Sequence, residues 1–493
     1  MSSSAKSLRG SLQLPSPVIV PTPIGSMALL ESGDARLAAL GASSSSPSSR
    51  KTAWLLRDAQ VFLNLLMSVI GAGMLSLPFT FVVMPVAQAV AMVVVVGVCM
   101  ASTALALLHA HAHVAMARER ATFVGAGRHV ASYRSVAIAV AGPRFGDAVS
   151  VVMAIGIFGG CVGVIRIVRD MLPHVSTLVV RALAPSQAEA LTPSQAQTLE
   201  QSLLWGVFAV VVLPLCALRS LSGLQIPNAV GFFFSLVLVG AVVYRALTVD
   251  GDNTTDATSA TSDAVADAFQ FSRLAQSVSI YSYAFTMHLN LLPLFVQLRG
   301  NCEAPIVVST RRMTRVIAGV TALCAALYVA FGVAASTLYG DATRGNVLVN
   351  MSRDAFMQLP LVAVFITVLV SFPPLFHPGR CIVQELVNRR PAAELGARSR
   401  VTTAALLLLA ELLVALWVPG IEVVFALVGA STTVLICYVF PVVMSWALVP
   451  WRASLRGRVA CAALWGVVAF VAVMGIQTIA FLLFPDAKAS TVT

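Results

Sequence analysis

NLLMSVIGAGMLSLPFTF runs from Asn64 to Phe81. It is apolar enough to lie in a membrane, yet Gly71, Gly73 and Pro78 all disfavour a continuous helix. A glycine in a helix interior is about 1 kcal/mol less favourable than alanine and leaves backbone N–H and C=O groups uncovered. Lipid offers such groups no water, so a break survives only inside protein or against a polar cavity. Two readings follow. Either the glycines let neighbouring helices approach closely, or they break the span, with Pro78 early in a new half-helix where its missing N–H matters little.

The surrounding chain favours a membrane. Of its 493 residues, 58% are hydrophobic and 11% charged, against about 25% charged in soluble domains. Mean hydropathy is +0.88. A span takes about 20 apolar residues, and eleven runs qualify: 60–83, 87–109, 147–171, 202–218, 226–247, 275–298, 315–339, 359–378, 401–418, 421–448 and 459–484. Residues 1–57 form an expected disordered cytoplasmic tail, Ser- and Pro-rich over most of its length. Residues 58–485 form the membrane domain and 486–493 a short extracytoplasmic tail. The eight cysteines show no CxxC spacing, so packing is expected of them rather than disulfides or metal binding.

Charge sets the orientation. With a cytoplasmic N-terminus, 24 of the 32 Lys and Arg fall inside, 6 outside and 2, Arg166 and Arg169, within a span. That bias reads as N-in and C-out, and it gives the net charge of +11 a topological meaning rather than one of nucleic-acid binding. The loop after the fifth span is acidic and carries the sequon Asn253-Thr254-Thr255, which lands outside as a glycosylation candidate.

The sixth run is irregular too. SVSIYSYAFTMHLNLLPLFVQL, 277–298, carries His288, Asn290 and Pro293. Broken first and sixth spans, five helices apart, are the arrangement of two inverted five-helix repeats with substrate held at the midplane. Half-helix N-termini present free N–H groups suited to a carboxylate, and the exposed carbonyls opposite suit an ammonium group or a cation. An amino acid carries both charges.

At these residues the chain resembles the amino acid/auxin permease family, within the amino acid–polyamine–organocation superfamily. NLLMSVIGAGMLSLP is similar to that family's first-helix signature, LPLCALRSLSGL (213–224) to its fourth-helix end, and MHLNLLPLFVQL (287–298) to its sixth-helix stretch. GVAASTLYG (332–340), FPPLFHPGR (372–380) and VPGIEVVFALVGASTTVLICYVFP (418–441) resemble helices seven, eight and nine to ten. The resemblance implies an all-α integral membrane protein with a LeuT-like five-plus-five inverted repeat and one extra C-terminal helix. It implies secondary active amino acid transport, without a cofactor and not an enzymatic activity. Carried over by position, Gly71, Ala72, Gly73 and Met74 would meet the substrate carboxylate, and Ala284, Phe285, Met287 and His288 would form the facing wall. Sodium-coupled members have asparagine where this chain has Met67, a poor ligand for a hard cation, although Ser371 keeps its hydroxyl. Asn290-Leu291 also stands where the family often has Pro-Glu. Protons are therefore favoured over sodium as the coupling ion.

Ionisable groups inside a membrane are functional candidates. Glu411 lies mid-depth in span nine, as a proton carrier or a neutral hydrogen-bonded strut. His288 has the same two readings. Arg166 and Asp170, four apart on span three, pair structurally or gate. HAHAH (109–113) sits at the mouth of span two without a third ligand, so interfacial polar residues are expected there rather than a metal site. Small neutral amino acids are favoured as substrates, with arginine or lysine transport, or amino-acid sensing as a transceptor, as alternatives. Plasma membrane and an acidic organelle, vacuole- or lysosome-like, both suit the chain.

Overall fold

A computed structural model describes residues 47–121, 132–183, 192–219, 225–248, 263–300, 304–352 and 354–484. Residues 1–46 of the expected tail, the Asn253 sequon and the C-terminal tail 486–493 lie outside them. Among the described residues there are helices and turns but no strand. The elements used below are α1 Pro47–Val69, α2 Leu77–Val82, α3 Val86–Ala121, α4 Tyr133–Leu183, α5 Pro193–Cys216, α6 Gln225–Thr248, α7 Asp263–Ala284, α8 His288–Leu298, α9 Ile306–Tyr339, α10 Val347–Met351, α11 Gln358–Asn388, α12 Ala397–Trp417, α13 Ile421–Leu448 and α14 Leu455–Leu483.

Nine described helices are each long and apolar enough to cross a membrane, and the bent pair formed by α1 and the stretch Ala72–Val82 brings the number to ten. Large apolar side chains stand fully out on the bundle surface, among them Leu247 at 82%, Leu359 at 80% and Trp417 at 88% exposure. Soluble proteins seldom expose apolar surface on this scale. Lipid is the matching solvent.

The first span is broken, as its glycines suggest. α1 ends at Val69, a five-residue 3-10 turn runs over Ala72–Ser76, and the stretch Ala72–Val82, which this turn opens and α2 completes, leaves at 46° to α1. Pro78 sits in the first turn of α2. The sixth run is broken as well, into α7 and α8, but at residues 285–287 rather than at Pro293, which lies inside α8.

Other boundaries have local causes. α5 starts at Pro193, well before the apolar run, because Thr192 and Gln195 form a reciprocal capping box ahead of an N-terminal proline. α4 turns at Ala141–Gly142, where Gly142 takes a φ of 81°, a left-handed value that favours glycine, before Pro143 restarts the helix. α12 and α13 are joined through Pro419-Gly420, the turn-forming pair that separates the ninth and tenth apolar runs. α13 contains an 11-residue π-helical stretch, Gly429–Val439. Such widened turns often sit at functional sites.

Two groups of helices enclose the site. α1 packs on α8 and α9, while α3 packs on α9 and α7. α4 packs on α11, α12 and α13. On the side from which α1 enters, the entry side, the buried Arg312 of α9 pairs with Asp58 of α1 at 2.7 Å. On the far side, Arg166 and Asp170 form their expected i,i+4 ion pair at 2.6 Å. Arg166 also donates to the Pro419 carbonyl, and Asp170 accepts from Asn346, the residue that caps α10.

Candidate functional site

The two breaks face each other across one cavity of about 280 Å³. Its wall draws on α1 and the Ala72–Ser76 turn, on α4, α6, α7, α8 and α11, and on the π-helical stretch of α13. Pockets for small ligands start at roughly 300 Å³, so the space suits a compact solute.

Backbone geometry supplies polarity at the first break. Met74 N–H returns to the Gly71 carbonyl at 3.1 Å, but the N–H groups of Gly71, Ala72 and Gly73 have no acceptor among the described residues. A short helix cannot satisfy its own first donors. Gly71 is exposed on this cavity, and a Cβ there would meet nothing within 4 Å. Gly73 differs, because a Cβ would lie 3.1 Å from the Tyr283 ring and 3.2 Å from Ala284 Cα. The two glycines thus do different things. One opens space and the other lets the broken strands of backbone touch.

The carbonyl ends are tied by one residue that sequence reasoning missed. The Tyr328 hydroxyl of α9 lies 3.1 Å from the Val69 carbonyl and 2.9 Å from the Ala284 carbonyl, the last residues of α1 and α7. Tyr283, also missed, lines the cavity and stacks on Phe425 with ring centroids 4.5 Å apart. A tyrosine in an apolar run gives no periodic signal that marks it as a helix-end partner.

The candidate residues divide. Gly71, Ala72, Gly73, Met74, Ala284 and Ser371 line the cavity, as does Met67. Phe285, Met287 and His288 lie behind its wall. Phe285 packs edge-on to Tyr328 at 5.0 Å. His288 is fully buried, with Nε2 3.2 Å from the Thr103 hydroxyl and Nδ1 without a partner among the described residues. These three side chains are not part of the lining, and sequence spacing carries no information on that.

Glu411 is also away from the cavity. It is 2% exposed on α12, with the Cys161 thiol of α4 beside its carboxyl and Oε2 otherwise unpaired among the described residues. Among the described residues, no Asp, Glu, Lys, Arg or His lines the cavity. The polar side chains there are amides and hydroxyls, including Asn64, Ser68, Thr286, Asn290 and Thr432.

Comparison with known proteins agrees with this architecture. Residues 58–484 match the family described as transmembrane amino acid transporter protein. Among similar proteins, amino acid transporter AVT6C of Arabidopsis thaliana is 26% identical over 245 residues, covering 48% of this chain and 54% of that one. Vacuolar amino acid transporter 7 of Saccharomyces cerevisiae is 25% identical over 182 residues, 36% of this chain and 35% of the yeast protein. Sodium-coupled neutral amino acid transporter 7 of Rattus norvegicus is 24% identical over 319 residues, 63% and 64% of the two chains. The chain spans about half the length of the curated relatives it matches first. With membrane-length helices, a cavity between two helix breaks and a family match across most of its length, the chain belongs to the transmembrane amino acid transporter family.

Proposed function

We propose that the chain is a secondary active transporter of small neutral amino acids that works by alternating access. The observation that carries this is the uncharged cavity between the two breaks, with free N–H groups of Gly71, Ala72 and Gly73 on one wall. Those donors suit the substrate carboxylate, with Met74 and Ala284 completing that end. A lysine or arginine side chain would find no counter-charge in the lining, which favours neutral substrates over cationic ones. Phe285, Met287 and His288 act in this reading as a supporting layer behind the wall.

The α7–α8 pair counts here as an eleventh span, giving a LeuT-like five-plus-five repeat with α14 as the extra helix. α1, α3, α7, α8 and α9 would rock against α4, α5, α11 and α12. The Lys and Arg bias places the N-terminus in the cytoplasm. Asn253 is then the extracytoplasmic glycan site. A second sequon, Asn350-Met351-Ser352, has its Asn350 amide engaged, accepting from Arg344 N–H and donating to the Ala342 carbonyl.

Protons are the proposed coupling ion. Met67 lines the cavity where an oxygen ligand would serve sodium, even though the rat relative is named as sodium-coupled. Glu411 and His288 are the candidate proton carriers, with Ser371 as a cavity-wall hydroxyl. An acidic organelle fits this coupling, and the yeast relative is named as vacuolar. The plasma membrane would use the same chemistry.

The test is amino-acid-evoked current in cells carrying the protein at the surface, at about pH 5.5 and about pH 7.5, with sodium present or replaced by choline. Current that grows in acid and ignores choline supports the reading, and Glu411→Gln and His288→Ala then separate the two carriers. Sodium-dependent current would overturn proton coupling. Binding without measurable flux in labelled-uptake assays would point to the transceptor alternative.

A further inference from the structure

Two side-chain amides on the cavity each hold one buried atom with no hydrogen-bond partner among the described residues. Asn64 of α1 and Asn290 of α8 both line it, and each is 9% exposed. Nδ2 of Asn64 and Oδ1 of Asn290 are buried without a hydrogen-bond partner among the described residues. The helices that carry them pack against each other. Around them the lining is apolar, from Met67, Leu289, Pro293 and Leu294. An unpaired buried amide is unfavourable relative to an apolar side chain of the same shape. Two on adjoining helices, one offering a donor and the other an acceptor, describe the complement of a missing group.

We infer that Asn64 and Asn290 form a subsite selecting amino acids whose side chain ends in a carboxamide. This rests on the reading of the cavity as the amino-acid site. A carboxamide brings one carbonyl for the Asn64 N–H and one NH2 for the Asn290 oxygen. A carboxylate would satisfy Asn64 but set its charge beside the Asn290 oxygen, and an ammonium would do the reverse. Neither charge would meet a counter-charge in the lining.

A hydroxyl both donates and accepts, so reach decides against it. Asn64 lies five residues before the end of α1 at Val69, about 7.5 Å at about 1.5 Å per residue, and Gly71 lies two residues further on in extended backbone. Hydrogen bonds of roughly 3 Å at each end leave a gap that the side chain of glutamine spans and that of serine does not.

The experiment uses the full chain in proteoliposomes with labelled glutamine, methionine and alanine. Methionine matches glutamine in length and lacks the amide. The wild-type protein should favour glutamine over methionine by about tenfold or more in kcat/KM, since a site built to bond a polar group rejects the analogue without it. Asn64→Leu and Asn290→Leu should each lower the glutamine-to-alanine ratio of kcat/KM by about tenfold. Should either leucine variant fail to insert, Asn64→Ala and Asn290→Ala, which remove the amide and add no bulk, should lower the same ratio. Equal handling of glutamine and methionine by the wild-type protein, or a ratio unmoved by the variants while alanine is carried, overturns the subsite alone. Uptake of no amino acid by the wild-type protein overturns the transport reading together with it.

Discussion

The Tyr328 hydroxyl donates to the Ala284 carbonyl at 2.9 Å, at the point where α7 ends. The same oxygen is 3.1 Å from the Val69 carbonyl at the end of α1. One proton therefore serves two helix ends, and both breaks are referred to a single point on α9. A carbonyl freed inside a membrane protein has no water to turn to. Tyr328→Phe keeps the ring that packs edge-on to Phe285 and removes only this bond. The expected loss is about 1–3 kcal/mol of stability, read as a lower melting temperature in detergent, with uptake reduced further than the folded fraction. A variant with wild-type melting and uptake would show that neither carbonyl depends on the hydroxyl.

Gly71 and Gly73 should separate under substitution. At Gly73 an added methyl presses on the Tyr283 ring and on the Ala284 backbone, and backbone gives way poorly. Overpacking of this kind destabilises by about 1–3 kcal/mol. Gly73→Ala should therefore melt earlier and lose most uptake. Gly71 has an extended backbone, φ −146°, and open space beyond it, so Gly71→Ala should change stability by less than about 0.5 kcal/mol. Its effect belongs in KM, because the methyl enters the cavity. Equal melting shifts for the two variants would contradict this division.

These glycines also mark how far the sequence could be read. The break at Gly71 was legible because glycine and proline carry local signals, and so was the turn at Pro419-Gly420. The second break was legible only in outline. Its residues, Phe285, Thr286 and Met287, include no glycine or proline. The helix ends at Ala284, whose carbonyl is bonded to Tyr328 from 44 residues away. A tertiary cause leaves no local mark. For the same reason His288 reads from sequence as a pocket residue, although the structure turns it toward Thr103. The early start of α5 was hidden differently, under the polar run PSQAQTLEQ, whose capping box outweighs its low hydropathy.

On the far side, outside the spans, Asp354 accepts from Arg245 Nε at 2.7 Å and from Phe356 N–H at 3.0 Å. Partial burial works against its charge, but the Arg245 hydrogen bond and the Phe356 N–H outweigh it and hold the carboxyl below its usual value. A depressed folded pKa means that the unfolded chain binds the proton more readily. The contribution is therefore present above the unfolded value of about 3.9 and fades as pH falls through the folded one. The link stays charged at the pH of an acidic organelle. Because the Arg245 side chain is 38% exposed, screening keeps the effect small. Arg245→Gln should flatten the fall in melting temperature below about pH 4, while leaving the profile between about pH 5 and about pH 7 parallel to wild type. Identical acid profiles would rule the pair out as a contributor.

The entry side holds a stronger link. Arg312 is 4% exposed, and its Nε donates to both Asp58 oxygens at 2.9 and 3.2 Å. Its Nη2 donates to the Trp54 carbonyl at 3.1 Å, and the guanidinium lies 5.1 Å from the Trp54 ring centroid. The start of α1, one half of the broken span, is thereby fixed to α9. Under alternating access this contact would have to part when the cavity opens toward the entry side. Removing one partner leaves a buried charge alone, which is destabilising by about 3–5 kcal/mol, with the lower end expected because Asp58 is 27% exposed. Asp58→Ala should then lose about 3 kcal/mol, and Arg312→Met, which removes the charge and keeps much of the apolar stem, should lose less. In a double-mutant cycle the pair should be far from additive, since the second substitution removes the stranded charge. Additive losses would mean that Asp58 and Arg312 are neighbours without being partners, and that α1 is held by its packing on α8 and α9.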